Sequence, residues 1–252
     1  MITVNDQIAL ITGGSRGIGA ATARLLAQAG ANVVIAYEKN NRAADEVVTQ
    51  IEAMGRNALA LKCKVQSTAD CKRVVTKTIE QFKRIDILVN NAGVWEPGTI
   101  GTMTEAQWKQ TIDINLTGTF NMCNAVAPIM KKQKYGRIVN VSSTAGQRGE
   151  AFHSQYGTSK GGVIAFTKSI AVELIPHNIW VNCVAPGWVE TEMIDRAWND
   201  PTSRKEILKT IPRGKIASPE EIAGPILFLC SPLANHIVGE VLNVNGGSVL
   251  CG

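Results

Sequence analysis

Tyr156 and Lys160 stand four residues apart in Tyr156-Gly157-Thr158-Ser159-Lys160, thirteen residues after Ser143. On a helix, positions i and i+4 share a face, so a phenol and an ammonium at this spacing can point into one site. A phenol has a reference pKa of about 10, and a neighbouring cation favours the phenolate. Lys160 is therefore expected to lower the Tyr156 pKa toward the range where proton transfer at neutral pH is efficient. The pair alone is weak evidence, because most exposed Tyr/Lys pairs at this spacing are solvated helix surface.

A second motif stands near the N-terminus: Thr12-Gly13-Gly14-Ser15-Arg16-Gly17-Ile18-Gly19. It follows the apolar run Ile8-Ala9-Leu10-Ile11 and precedes Ala20 to Ala27, a stretch of strong helix formers. The order is strand, turn, helix. Glycines in such a turn allow backbone conformations and close approach that side chains block, and the helix N-terminus offers free N–H groups to a pyrophosphate. The spacing Gly13-x-x-x-Gly17-x-Gly19 departs from the common G-x-G-x-x-G fingerprint.

With these motifs and the others in order along nearly its whole length, the chain resembles the short-chain dehydrogenase/reductase family. Thr12 to Gly19 is similar to the family's T-G-x-x-x-G-x-G turn, Asn90-Asn91-Ala92-Gly93 to its N-N-A-G segment, and Pro186-Gly187 with Thr191 to its P-G-x-x-x-T segment. The resemblance implies four catalytic residues: Asn115, Ser143, Tyr156 and Lys160. In that reading Tyr156 exchanges the proton and Ser143, rather than Ser142, hydrogen-bonds the reacting oxygen. Lys160 tunes the phenol and binds the nicotinamide ribose, while Asn115 anchors a water that connects the lysine to solvent. Cofactor contacts are implied for Gly13, Ser15, Arg16, Gly17, Ile18 and Gly19 in the turn, and for Tyr37 and Lys39 around the end of the second strand. Further contacts fall on Asn91, Ala92 and Gly93, on Tyr156 and Lys160 themselves, and on Pro186, Gly187, Val189 and Thr191. The activity implied is interconversion of a carbonyl and an alcohol by hydride transfer with a nicotinamide dinucleotide.

Which dinucleotide depends on conflicting residues. An acidic side chain after the second strand holds the ribose 2′-OH of NAD, whereas basic groups accommodate the 2′-phosphate of NADP. Tyr37 supplies no carboxylate, and Arg16 and Lys39 favour phosphate; Glu38 opposes it. Lys64 stands where many relatives carry an acidic residue that accepts a bond from the adenine, and lysine has donors only. NADP(H) is expected over NAD(H). The pattern is similar to 3-oxoacyl-(acyl carrier protein) reductases, and Lys131-Lys132-Gln133-Lys134 with Arg137 offers basic docking for an acidic carrier. Val94-Trp95-Glu96-Pro97, however, lacks the Arg-Asp pair common at that point in those reductases. A sugar, a polyol or another small secondary alcohol is the alternative substrate. A non-catalytic dinucleotide-binding regulator is the alternative function, and the complete set of four catalytic residues argues against it.

The elements needed to position these groups are legible. Candidate strands are Ile8 to Thr12, Asn32 to Tyr37, Ala58 to Lys62, Ile87 to Asn90, Arg137 to Ser142, Trp180 to Ala185 and Val241 to Val244, alternating with helical periods. The expected fold is α/β: one Rossmann-type, doubly wound parallel sheet of seven strands with helices on both faces. Long helices are expected from Thr104 to Lys132 and from Tyr156 to Leu174, and capping boxes at Thr104/Gln107 and Ser218/Glu221, the latter with Pro219 at the first helical position. Residues 188–214 read as the least regular stretch and, by resemblance, as a substrate lid.

Length and composition agree. A chain of 252 residues, 45% hydrophobic, supports one sizeable domain over 1–252. Its 26 basic and 21 acidic residues give a net charge of +5 spread along the chain, so nucleic-acid binding is unsupported. Six cysteines without C-x-x-C spacing and three scattered histidines predict no metal site and a reduced, cytoplasmic compartment. The first strand follows Met1 almost at once, which leaves no room for a signal peptide, and no membrane span is expected. By resemblance, the two long helices pair across two-fold axes in a homotetramer.

Overall fold

The computed structural model describes residues 2–251. Seven strands, β1 (Ile8–Thr12), β2 (Asn32–Tyr37), β3 (Ala58–Lys62), β4 (Ile87–Asn90), β5 (Gly136–Val141), β6 (Ile179–Pro186) and β7 (Val241–Val244), form one sheet in the order β3-β2-β1-β4-β5-β6-β7. Every pairing is parallel. The central strands are near-continuous apolar runs because both of their faces are covered. Successive residues point to opposite faces, so each run divides between two cores. Ile11, Ile35 and Val89 join Leu26 and Ile226 in one cluster, and their neighbours Leu10, Val34 and Leu88 join Met122 and Ile138 in the other. Burying each such side chain contributes on the order of 1.5–3 kcal/mol before entropy is counted.

Helices α1 (Gly17–Gln28) and α2 (Asn41–Glu52) cover one face, and α3 (Thr68–Phe82) the other. The expected helix from Thr104 to Lys132 is in three pieces: α4 (Glu105–Ile112), a π-helical turn at Asp113–Thr117, and α5 (Gly118–Gln133). A π-turn adds one residue to the helical repeat and is frequent at functional sites; here it carries Asn115, which is fully buried. A short helix, α6 (Ala145–Arg148), precedes α7 (Ser154–Leu174), the helix with Tyr156 and Lys160.

The stretch 188–214 is more regular than its composition suggests. It folds into a 3-10 turn (Glu192–Ile194), α8 (Asp195–Trp198) and α9 (Pro201–Lys209), and Ile194, Ile207 and Ile211 form a small core with Ile216 and Trp188. Asp200 caps α9 by accepting from the Ser203 N–H, with Pro201 at the first helical position. Both expected capping boxes are present, the second opening α10 (Pro219–Leu229), which packs on α1.

The chain reverses its direction of winding between β1 and β4, and in such sheets ligands occupy the crevice at the carboxyl ends of the strands at that switch point. Thr12 and Asn90, paired in register at the ends of those strands, mark it.

Candidate active site

The Gly-rich turn is locked from both sides. Gly13 has φ +64°, and a Cβ on Gly19 would lie 2.2 Å from the Gly13 carbonyl oxygen, so a side chain at Gly19 is excluded by backbone. Thr12 Oγ1 accepts from the N–H groups of Asn91 (3.0 Å) and Ala92 (3.1 Å), while Asn91 Nδ2 donates to the carbonyls of Thr12 (3.1 Å) and Gly13 (3.2 Å). Helix α1 begins right after the turn. Its N-cap residue, Arg16, is extended and makes no side-chain cap, leaving the first N–H groups free of side-chain partners. A close-approach backbone cradle ending in an uncapped helix N-terminus fits a dinucleotide pyrophosphate.

The second half of the site lies across the switch point. Tyr156 and Lys160, in the first two turns of α7, are both buried and line one cleft together with Ser143. Ser143 Oγ accepts from the Ala145 N–H at 3.1 Å and acts on the Tyr156 phenol. Ser142 is differently engaged, its hydroxyl donating to the Lys160 carbonyl at 2.8 Å. Lys160 Nζ donates to the Val141 carbonyl at 2.8 Å and lies 5.8 Å from the Tyr156 ring centroid. Asn115 works behind the cleft. Its amide accepts from the Val94 N–H (2.8 Å), donates to the Val94 carbonyl (3.0 Å) and donates to Ser159 Oγ (3.1 Å), tying the loop after β4 to α7.

The electrostatics correct one expectation. Burial pushes the Tyr156 phenol up to about 12, with the Ser143 hydrogen bond pulling it back and the Glu150 charge adding to the rise. Lys160 was expected to lower it. Burial instead brings the lysine down to about 8, so its own charge is costly and it is spent on the Val141 carbonyl rather than on the phenol. A phenol at about 12 is fully protonated at neutral pH, as a proton donor must be.

The cleft also gathers Ile18, Asn91, Gly93, Pro186, Gly187, Val189 and Thr191. Gly187 is pinned by its N–H to the Val244 carbonyl (3.1 Å), and Val189 bridges to Ala217. Ser15, Arg16, Tyr37 and Lys39 lie outside it: Tyr37 ends β2 and is buried, Lys39 and Glu38 are exposed, and Arg16 pairs with Glu192. Exposed Lys64 donates its backbone N–H to Asp70 (2.9 Å). Arg137, read as a docking charge, is buried: its guanidinium stacks 4.5 Å from the Trp180 ring centroid and bonds Asn235. The lysines at the end of α5 lie at the strand-start end of the sheet, opposite the cleft. Sequence reasoning missed Trp95, Arg148, Glu150 and Trp188, which line the cleft. No group of three or more metal-ligating side chains occurs among the described residues, and none of their helices is long and apolar enough to cross a membrane.

The sequence profile described as enoyl-(acyl carrier protein) reductase matches residues 13–248. The chain is 42% identical over 251 residues to a 3-oxoacyl-[acyl-carrier-protein] reductase of Synechocystis sp., covering 99% of this chain and 100% of that one. It belongs to the short-chain dehydrogenase/reductase family. The corresponding reductase of Aquifex aeolicus is 40% identical over 249 residues, 98% of each chain. The crystal structure of a putative short-chain alcohol dehydrogenase from Sinorhizobium meliloti superimposes with a TM-score of 0.94 at 34% identity, covering 98% of this chain and 97% of that one. As a member of this family the protein is a nicotinamide-dinucleotide-dependent oxidoreductase that interconverts a carbonyl and an alcohol by hydride transfer.

Proposed function

We propose that the enzyme reduces a 3-oxoacyl substrate with NADPH. The observation that carries this reading is the full-length likeness to 3-oxoacyl-(acyl carrier protein) reductases, joined to a cleft that holds Ser143, Tyr156 and Lys160 together. The nicotinamide supplies the hydride. The Ser143 hydroxyl orients the substrate carbonyl oxygen and stabilises the charge that develops on it. The Tyr156 hydroxyl delivers the proton to that oxygen. Lys160 holds the cofactor ribose, and Asn115 is a positioning residue that fixes the Gly93 loop against α7. Residues 188–214 act as the substrate lid, and a 3-oxoacyl group carried on acyl carrier protein enters beneath it. Five buried free thiols support a cytoplasmic location.

NADP preference rests on Arg16, Lys39 and Lys64 around the ends of β1 to β3, with no carboxylate at Tyr37. The Arg16–Glu192 pair is 62% exposed on both sides. Exposed pairs contribute little, so Arg16 exchanges this carboxylate for a 2′-phosphate at small cost. Arg16→Ala is expected to raise the KM for NADPH by roughly 10- to 150-fold, the loss of one charge-assisted contact, and that for NADH far less. Steady-state kinetics with both cofactors check this. A wild type that prefers NADH, or equal weakening of both, assigns the ribose to Glu38 instead.

We also propose a homotetramer of 222 symmetry. Phe120 on α5 meets Phe166 on α7 edge to face at 6.2 Å, and Phe120 and Val172 stay exposed, so the two helices share an uncovered apolar surface. Light scattering at micromolar concentration is expected to return the mass of four chains; a monomer contradicts it.

A further inference from the structure

Among the cleft-lining side chains without a role in the proton transfer is a built aromatic corner. Trp95, on the loop after β4, and Trp188, in the segment after β6, meet at right angles, with ring centroids 5.6 Å apart and an interplanar angle of 86°. Both line the cleft. The imidazole of His153 stacks parallel on Trp95, 4.4 Å between centroids and 7° between planes. His153 thus covers one face of the indole, while Trp95 itself lines the cleft. The indole N–H is held as well, donating to Glu150 Oε2 at 3.3 Å, and the other Glu150 oxygen lies 3.9 Å from His153 Nδ1.

The backbone around this group is clasped. The Gly98 N–H donates to the Phe152 carbonyl at 2.7 Å, and Gln155 Nε2 donates to the Glu96 carbonyl at 2.8 Å. The loop after β4 is thereby fixed to the segment that leads into α7, the helix of Tyr156. Trp95 is stacked, hydrogen-bonded and edge-packed at once, so it cannot rotate out of the way of a substrate without breaking all three contacts.

We propose that Trp95 and Trp188 form the specificity wall of the substrate cleft and select carbonyl substrates that carry a flat aromatic group next to the reacting carbon, with Glu150 and His153 as positioning residues for Trp95. A right-angled pair of indoles offers a ring one π face and one edge. An aromatic substituent packs offset or edge-to-face against both, whereas an alkyl group gains only from its buried area. Because Trp95 is already held by these three contacts, binding costs no immobilisation of that side chain. This inference rests on the 3-oxo reading above and narrows it to aryl-bearing substrates.

The test compares two 3-oxoesters that differ only in the group on the reacting carbon, ethyl benzoylacetate and ethyl acetoacetate, as substrates with NADPH. Trp95→Ala and, separately, Trp188→Ala are expected to lower the ratio of kcat/KM for the aryl ester over the methyl ester by roughly two- to tenfold, the change falling in KM. Glu150→Ala lowers it part of the way, and Glu150→Gln, which keeps an acceptor for the indole N–H, restores it. An unchanged ratio in both tryptophan variants overturns the proposal. If the wild type consumes neither ester, the same two acyl groups are offered as acyl carrier protein thioesters, and no turnover of those fails the 3-oxoacyl reading on its own. The wall is then judged by calorimetric binding of acetophenone and butan-2-one to the NADP⁺-loaded protein, where an affinity ratio unaffected by Trp95→Ala overturns it.

Discussion

Lys160→Met is expected to lose cofactor affinity and turnover together. Methionine keeps the length and apolar bulk of the stem in a site where the lysine is only 4% exposed, so the change is mainly the loss of a cation and three donors. Removing a charge-assisted contact to the ribose weakens NADPH binding by roughly 10- to 150-fold. A nicotinamide ribose left unheld also misplaces the hydride donor, which lowers kcat by a further ~10². The Val141 carbonyl also loses its buried partner, which costs about 1–3 kcal/mol of stability. A pH series separates these effects. Burial brings the Lys160 amine down to about 8, so its cationic share is complete well below pH 8 and falls as pH rises through that value. Wild-type NADPH affinity, read from cofactor fluorescence, should weaken along that rise, whereas the variant should show no such step. A variant that binds NADPH as the wild type does, or one with the same pH dependence, removes Lys160 from the cofactor site.

The sheet was legible in the sequence because its central strands are covered on both faces. A run such as Ile8-Ala9-Leu10-Ile11-Thr12 has no solvent side to confuse with a helix face, and the expected bounds of β1 to β4 and β7 coincide with those observed. The break at Asp113–Thr117 was not legible. A π-turn changes hydrogen-bond partners rather than composition, and only Asn115, a poor helix former inside a helical stretch, hinted at it. In residues 188–214 the Asp200-Pro201 signal for a capped helix was present but lay among aromatics and charges that read as a loop.

The cleft was legible where the chemistry uses adjacent turns of one helix, as for Tyr156 and Lys160, or where a spaced motif marks it, as for Ser143. It was not legible where pairing crosses long separations. Trp95 and Glu150 are 55 residues apart, and no local pattern says that the indole and the carboxylate meet. The direction of the Tyr156 shift also escaped a reading by proximity, because spacing gives the neighbouring charge but not the depth of burial that outweighs it. The adenosine end stays the least determined by residue type, since Arg16, Glu38, Lys39 and Lys64 carry opposed charges on exposed side chains.

Tyr156→Phe isolates the proton donor, because it deletes one oxygen from a buried ring and leaves the packing in place. Ser143 and Lys160 keep their backbone partners at Ala145 and Val141 in the variant, so NADPH should bind as it does to the wild type. Only the Ser143 hydroxyl then remains beside the substrate oxygen, and it is too weak an acid to deliver the proton, so hydride transfer to the carbonyl stalls. The measurement is NADPH oxidation on addition of a 3-oxobutanoyl thioester, followed for wild type and variant alongside NADPH affinity. Steady turnover is expected in the wild type, with a fall in kcat of ~10² to 10⁴ in Tyr156→Phe and matching cofactor dissociation constants. Near-wild-type turnover in the variant would contradict it.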